Sequence, residues 1–316
     1  MRSWFRFAAG MVVTAVLLYL AFYNVDPREF WASFRSYDPW WALGSVVLFA
    51  VSVLCRALMW RVTTRRMGAA PLSVLYGGVV VGYLGNNLLP LRAGELVRTY
   101  YLARRRGFPY AGVLSTVVVE RVTDVVVLGL LLAGGLVAGL GGLNPARGRE
   151  ALVIMLALLL LLALGLGLLR FSGGRGRRGW AGPHLEHFMA VLANIASGTT
   201  ALKILAFGVL AWLANWASML VLVSGVAYRG NPWATALLLL LYVNLGVLIP
   251  SSPGAFGVMQ VAFFAALYPF GVAKAAALAL SFIYQAAIYL FTLAVGLPYL
   301  FRAHLRLAAL AGDRRP

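Results

Sequence analysis

Six charged residues lie inside apolar stretches of this chain, and their types suit the binding of an anion. They are three arginines and three acids: Arg92, Glu95, Arg98, Glu120, Arg121 and Asp124. If those stretches cross a bilayer, each unpaired charge costs about 2.5–3.5 kcal/mol even on the mildest scale, so these residues must pair or face water. Guanidinium groups bind phosphate or carboxylate through paired hydrogen bonds. The pattern therefore predicts a site for an anionic headgroup, in which the acids orient the arginines or take up a proton.

The spacing of these charges indicates which of them can meet. Glu120 and Asp124 share a helical face at i, i+4, where two carboxylates repel each other unless cations lie between them. Arg121 can reach Asp124 at i, i+3. The three arginines and three acids sum to 3 − 3 = 0, and Arg56 in an earlier apolar run would make the sum +1. An ion-pair network that only pins two helices together is the alternative, although it is a costly way to pack helices.

The composition places these charges in a membrane protein. Of 316 residues, 62% are hydrophobic and 11% are charged, and several apolar runs reach the ~20 residues that span a ~30 Å hydrocarbon core. We therefore predict an all-α integral membrane protein, with residues 1–316 forming one polytopic domain because no polar stretch is long enough for another. Six continuous spanning helices are expected at Phe7–Tyr23, Trp40–Trp60, Tyr110–Leu140, Ala151–Leu169, Leu202–Val226 and Lys274–Leu300.

Two further apolar stretches, Leu72–Leu102 and Thr235–Tyr268, are interrupted by glycine, proline and asparagine. Such breaks are tolerated at membrane depth only where the backbone is buried or lines a polar cavity. We interpret each stretch as a broken, re-entrant helical hairpin. We predict that the six charged residues bind the substrate together with polar and glycine residues beside the two breaks, namely Asn87, Ser251, Ser252, Gly254 and Gly257. The serines and glycines of the second hairpin could form a second wall of the site or could only break the helix, and the sequence leaves both interpretations open.

Loop charges predict the orientation, because arginine-rich loops lie on the cytoplasmic side. Both flanks of Leu72–Leu102 are basic, so the first hairpin should enter from the cytoplasm. The weakly charged flanks of Thr235–Tyr268 place the entry of the second hairpin outside, and both chain termini are then cytoplasmic. Two repeats of opposite orientation follow, residues 1–141 and 151–301, which is the inverted-repeat plan of secondary transporters.

Several other classes of function are disfavoured by the sequence. A net charge of +18 would suggest nucleic acid in a soluble protein, but here the arginines cluster between apolar runs, where anionic headgroups account for them. The main cluster is a basic cytoplasmic loop, 170–200, with a short interfacial helix expected at Pro183–Ala196. Walker, G-x-S-x-G and H-E-x-x-H motifs and clustered Cys/His are absent from the sequence, so we expect no catalytic residue, metal or cofactor.

Three motifs in order resemble the flippase-like membrane domain of the lysylphosphatidylglycerol synthase family. They lie at Asn87–Arg98, Ser115–Asp124 and Pro250–Gly257, and the resemblance covers nearly the whole chain. It implies a multi-pass inner-membrane protein that moves a lipid, such as an aminoacylated phospholipid, between leaflets. Stand-alone members are similar to proteins linked with polyprenyl-phosphate sugars and hopanoids. Two departures stand out: the cytosolic aminoacyl-transferase domain is missing, so the chain should not make the lipid itself, and Gln260 stands where relatives are expected to carry an acid.

The sequence thus favours a transporter or flippase that moves an anionic or headgroup-modified lipid through a midplane site. One alternative is an embedded glycosyl or acyl transferase that uses Glu120 or Asp124 as a base on a polyprenyl-linked donor. Another is an accessory scaffold for such an enzyme. The expected partners are membrane lipids with an anionic headgroup or a polyprenyl phosphate, and no nucleic acid. A lipid-modifying enzyme and a second copy of the chain are further candidate partners.

The predicted topology can be tested by labelling single cysteines. Cysteines placed at Arg65, Arg105 and Arg177 should react with a membrane-impermeant reagent only from the cytoplasm, and a cysteine at Ser36 only from outside, because loop arginines stay on the cytoplasmic side. Labelling of position 105 from outside would make Leu72–Leu102 an ordinary spanning helix, and the inverted-repeat interpretation would fail.

Overall fold

The computed structural model describes residues 2–89, 93–137, 153, 198–247 and 252–302, and the side chains from residue 10 onward within them. These residues form α-helices with two single 3-10 turns and no strand in the described ranges. The bounds are α1 Arg2–Phe22, α2 Pro27–Ser36, α3 Pro39–Thr64, α4 Leu72–Leu88, α5 Gly94–Arg106, α6 Tyr110–Val137, α7 Gly198–Ser224, α8 Pro232–Gly246, α9 Val258–Leu267 and α10 Lys274–Arg302, with 3-10 turns at Pro253–Ala255 and Tyr268–Phe270. The predicted all-α class is confirmed.

Several of these helices are suited to cross a membrane. Four stretches are long and apolar enough, namely α3, α7, α10 and Pro253–Phe270, and α1 with α2 makes a fifth if the pair is one span. Helix α6 has 28 residues, or about 42 Å of length, but every 18-residue stretch of it includes the three charges near its middle. The chain is therefore a multi-pass membrane protein. The expected helices Ala151–Leu169 and Pro183–Ala196 lie outside the described residues, apart from Val153.

The connection between the first two expected spans contains a helix of its own. Helix α2 turns by 89° from α1, and its N-terminus is capped by Asp26, whose Oδ1 accepts from Arg28 N at 2.7 Å. At the bend, Lys274 Nζ donates to the carbonyl oxygens of Leu20 at 3.3 Å and Tyr23 at 2.7 Å. This lysine satisfies carbonyls that the end of α1 leaves without helical partners.

The first broken stretch is a helical hairpin, as predicted. Its arms α4 and α5 have 17 and 13 residues, or about 25 and 20 Å, so each is shorter than the ~30 Å hydrocarbon core. The arms meet through glycines, because a Cβ on Gly94 would overlap the carbonyl oxygen of Gly82, and a Cβ on Gly85 would lie 2.8 Å from Gly94 Cα. The amide of Gly94 donates to Asn86 Oδ1 at 3.0 Å, which joins the start of α5 to the end of α4.

The second broken stretch is also a pair of contacting helices, α8 with 15 residues and α9 with 10. Its break needs the left-handed backbone that glycine adopts without strain, at Gly254 with φ 77° and at Gly257 with φ 81°. Helix α9 then begins with Gln260 Oε1 accepting from Gly257 N at 2.7 Å. The same stretch, Pro253–Phe270, is apolar enough to count as a span, and its entry side stays a prediction.

The contacts of one half of the chain are repeated in the other. Helices α3 and α7 pack along each other at the centre, where Ser218 Oγ donates to the Ser45 carbonyl oxygen at 2.8 Å. The first hairpin contacts α3, α6 and α10, and the second hairpin contacts α7, α10 and α6. This reciprocity is the basis on which we propose an inverted repeat of segments 1–141 and 151–301.

The glycine contact of the first hairpin predicts a large effect of one methyl group. Gly94→Ala should lower the free energy of unfolding by about 3 kcal/mol, the upper range for overpacking, because the Gly82 carbonyl lies where the methyl must go. The measurement is thermal unfolding in detergent. Gly134→Ala in α6 is the control, since no described atom lies within 4 Å of its Cβ position, and it should change stability by about 1 kcal/mol or less. Equal stability of the two variants would contradict the proposed helix contact.

Candidate functional site

The two hairpin breaks border one cavity of about 310 Å³. Its first wall carries charges from α3, α5 and α6, namely Arg56, Glu95, Arg98, Glu120 and Arg121. Its second wall carries neutral polar groups from α4, α7, α8, α10 and the second break, namely Asn86, Asn87, Asn215, Asn244, Ser252, Gln285 and Tyr289. The cavity thus brings together parts of the chain that are as much as 240 residues apart.

Glu120 is the centre of the charged wall. It is 2% exposed, and both of its carboxylate oxygens accept from arginines. Oε1 accepts from Arg56 Nη1 at 3.1 Å and Arg121 Nη2 at 2.6 Å, and Oε2 accepts from Arg98 Nη1 at 2.9 Å. Because its partners come from α3, α5 and α6, this one carboxylate ties three helices together.

Asp124 lies one turn further along α6 and is also bound on both oxygens. Its Oδ1 accepts from Arg56 Nη1 at 3.0 Å and from Trp212 Nε1 at 2.8 Å, and its Oδ2 is 3.2 Å from Arg121 Nη1. The predicted i, i+3 pair of Arg121 and Asp124 is therefore present. Arg56 is the cation that lies between Glu120 and Asp124 and relieves their repulsion.

Aromatic rings cover the two buried arginines. The guanidinium carbon of Arg56 lies 5.1 Å from the centre of the Trp212 ring, and that of Arg98 lies 5.4 Å from the Trp60 ring. Trp60 is itself held by Nε1 donating to Thr116 Oγ1 at 2.7 Å. Cation–π contacts of this kind strengthen in a desolvated site, so the tryptophans fix the two guanidiniums without neutralising them.

The charged wall becomes more accessible towards Glu95 and Arg121, whose side chains are 25% and 42% exposed. Glu95 Oε2 lies 2.6 Å from Arg98 Nη2 and Oε1 lies 3.7 Å from Arg121 Nη2. Among the described residues, three arginines and three acids make up the network, so their charges sum to 3 − 3 = 0. Arg56, which the sequence offered only as a further charge, belongs to this described network.

Several buried nitrogens of this network lack a hydrogen-bond partner within the described part of the chain. They are Arg56 Nε, Arg98 Nε, Arg98 Nη2 and Arg121 Nε. The 2.6 Å ion pair of Arg98 with Glu95 is close but is not aligned as a hydrogen bond. Since a buried donor without a partner costs about 1–3 kcal/mol, these groups favour an anionic ligand with several acceptor oxygens.

The second wall is held by a chain of side-chain amides. Gln260 Nε2 donates to Gln285 Oε1 at 3.1 Å, and Gln285 Nε2 donates to the Gly254 carbonyl oxygen at 2.6 Å. Tyr289 packs against Gly254, where any Cβ would overlap its hydroxyl oxygen. Gln260, where an acid was expected in relatives, therefore supports the second break through neutral hydrogen bonds.

The predicted site residues of the second hairpin differ in whether they line the cavity. Ser252 lines the cavity, and its backbone amide donates to Thr14 Oγ1 of α1 at 3.0 Å. Gly257 faces α1 instead, because a Cβ there would lie 2.9 Å from the Thr14 carbonyl oxygen and from Leu17 Cβ. We therefore assign Gly257 to helix packing rather than to substrate contact, while Gly254 remains in the cavity lining.

In the first hairpin, Asn87 lines the cavity and its Nδ2 donates to Thr292 Oγ1 of α10 at 2.9 Å. Asp124 is bound behind the lining by Arg56 and Trp212. The predicted site residues Arg92 and Ser251 lie outside the described residues.

Sequence reasoning missed most of the neutral wall and the role of Trp212. The missed residues are Asn86, Asn215, Asn244, Gln285 and Tyr289. A signal was present, because each amide interrupts an apolar run within a helix, where a polar side chain needs a partner. Trp212 gave no such signal, since tryptophan is common in membrane helices near the interface.

The fold and the site define a polytopic α-helical membrane protein in which paired charges line a cavity between two broken hairpins. Residues 7–296 match the family model described as "Lysylphosphatidylglycerol synthase TM region", and the chain belongs to this family. A segment of 138 residues, 40% of this chain, is 32% identical to a protein of Haloferax volcanii named "Glycosyltransferase AglD". The match spans 22% of that relative's length.

The network predicts that Arg56 and Asp124 stabilise the fold as a pair. Arg56→Met should lower the free energy of unfolding by about 3–5 kcal/mol, because two buried carboxylates lose their shared cation. Adding Asp124→Asn should restore more than half of this loss, since the charges balance again at 2 − 2 = 0. Thermal unfolding of both variants in detergent measures the effects.

Arg61→Met is the matched control, because Arg61 is an exposed arginine of the same helix. It should change stability by about 0.5 kcal/mol or less. A double variant that is no more stable than Arg56→Met alone would show that the two side chains do not act as a pair.

Proposed function

We propose that this protein moves an anionic or headgroup-modified lipid between the leaflets of the cell inner membrane, with the lipid phosphate on the charged wall of the cavity. The observation that carries the proposal is the set of buried guanidinium nitrogens without a hydrogen-bond partner in the described chain, at the border of a cavity between two broken hairpins. Membership of the family supports a lipid or lipid-linked substrate.

The charged wall suits reversible capture of a phosphate. Arginine binds phosphate through a planar fork of two parallel hydrogen bonds. Arg98 Nε, Arg98 Nη2 and Arg121 Nε have no hydrogen-bond partner among the described residues. The charges of the network cancel among the described residues, so the described side chains do not hold a bound anion by a large excess of positive charge. A transport site needs this balance, because it must release its ligand as well as bind it.

The neutral wall suits the rest of a lipid headgroup. Its amides and the Tyr289 hydroxyl offer both donors and acceptors, which match hydroxyl, amino or amide groups on a headgroup. Apolar side chains complete the lining, among them Phe49, Val79, Met219 and Ile288. These side chains provide a surface for the first carbons of the acyl or polyprenyl chain.

The hairpins are the elements that can open the cavity to either leaflet. Each hairpin is interrupted by a break between its two helices. Each also packs on a long helix from the other half of the chain, α4 on α10 and α8 on α6. In transporters built from inverted repeats, movement of one repeat against the other gives access to each side in turn. Both termini are predicted to be cytoplasmic in this arrangement.

A transferase is the second candidate, favoured by the name of the Haloferax volcanii relative. Such an enzyme would use Glu120 or Asp124 as a general base on a polyprenyl-phosphate donor. Both carboxylates are already bound on each oxygen by arginine or tryptophan donors, so proton abstraction would require breaking an ion pair. This geometry favours transport over transfer.

Charge-conserving substitutions test the proposed site. Arg98→Lys and Arg121→Lys keep the charge balance but lose the planar fork, so both variants should fold and yet lose most of the movement of a fluorescent anionic phospholipid in proteoliposomes. The rate of leaflet exchange is read from quenching by an impermeant reductant. Arg61→Lys, the exposed control on α3, should move lipid at the wild-type rate.

Wild-type rates in both site variants would contradict the proposed site. A wild-type protein that chemically converts the lipid without moving it would favour the transferase. Thin-layer chromatography of the recovered lipid separates these outcomes.

A further inference from the structure

Glu95 differs from the other two acids of the charged wall in how it is held. It lies in the first turn of α5, lines the cavity and has a quarter of its side chain exposed. Its Oε2 has no aligned hydrogen bond in the described chain despite lying 2.6 Å from Arg98 Nη2. Its Oε1 is 3.7 Å from Arg121 Nη2, beyond hydrogen-bond distance.

Glu120 and Asp124, in contrast, are bound on both oxygens and are buried to more than nine-tenths. They lie in the middle of a long helix that packs on α7, and displacement of either would leave three donor side chains without their acceptor. Glu95 is therefore the acid of the network that can exchange with an incoming anion at the lowest cost.

The backbone beneath Glu95 is fixed, so the exchange requires only side-chain rotation. The preceding amide, of Gly94, donates to Asn86 Oδ1 at 3.0 Å, and the carbonyl of Glu95 accepts from Thr99 Oγ1 at 2.7 Å. The side chain can swing towards the cavity, which it already borders, while the start of α5 stays in place.

We infer that, in the lipid-free protein, the Glu95 carboxylate occupies the place of the lipid phosphate on Arg98 and Arg121, and that phosphate binding displaces it. This inference rests on the proposed function. A lipid phosphate is tetrahedral and carries two ester oxygens besides its two charged oxygens, so it can bond to both guanidiniums at once. Glu95 acts as an internal competitor that offsets guanidinium charge on Arg98 and weakens lipid binding enough to permit release.

Replacement of the carboxylate by its amide tests the inference. Glu95→Gln removes one negative charge from beside Arg98 and Arg121, so the Kd for a fluorescent phosphatidylglycerol in nanodiscs of zwitterionic lipid should fall by about tenfold. Leaflet exchange in proteoliposomes should become slower, because release is slower. The same lipid should also raise the Tm of Glu95→Gln more than that of wild type, since tighter binding stabilises the folded state more.

Two further variants complete the experiment. Glu29→Gln removes an exposed acid of α2 and should leave the Kd unchanged, which excludes a general effect of net charge. Glu95→Ala also lacks the carboxylate and should tighten binding in the same way, so the test does not depend on the folding of one variant.

An unchanged or higher Kd in Glu95→Gln and Glu95→Ala, with lipid movement by the wild type, would overturn the inference and leave the proposed function standing. A wild-type protein that neither binds nor moves the lipid would overturn both. Inorganic phosphate at millimolar concentration should compete with the lipid more strongly in Glu95→Gln than in wild type, and absence of competition in either would contradict a phosphate site.

Discussion

The rest of this structure depends on the ion pairs of the buried Glu120 carboxylate with Arg56, Arg98 and Arg121. A charge at bilayer depth must be paired, and removal of one partner of a buried pair costs several kcal/mol. Since the three arginines come from α3, α5 and α6, these helices have to meet at one point. The position of the first hairpin follows from this requirement, because Arg98 reaches Glu120 only when α5 lies against α6.

Close helix approach is the second condition, and glycine provides it. The arms of the first hairpin meet at Gly82, Gly85 and Gly94, and the second break depends on Gly254 and Gly257. A lipid environment gives helices little hydrophobic drive to associate, so small residues and interhelical hydrogen bonds must hold them. The walls of the polar cavity are therefore held in place by close backbone packing and by hydrogen bonds between helices.

The cavity is lined by charged groups on one wall and by neutral polar groups on the other, and a lipid headgroup likewise combines a charged phosphate with neutral polar groups. Its charged wall offers guanidiniums to a phosphate, and its neutral wall offers amides and a phenol to whatever the phosphate carries. The charges of the described network cancel, and the least firmly bound acid, Glu95, lies at its accessible end. The proposed binding of an anion by exchange, rather than by accumulation of positive charge, is compatible with repeated capture and release.

The sequence by itself determined that the chain is helical and membrane-embedded and that two apolar stretches are broken. It also indicated that the intramembrane charges must pair or face water and that Arg121 can reach Asp124, because hydropathy, breakers and i, i+3 spacing are local properties. Only the tertiary structure decided that Arg56 lies between Glu120 and Asp124, that Trp212 binds Asp124 across 88 residues, and that Gly257 faces α1. Local spacing contains no information on which distant helices become neighbours. That choice is made by the packing of α3 on α7 and of each hairpin on the opposite half, and it brings together the two walls of the site.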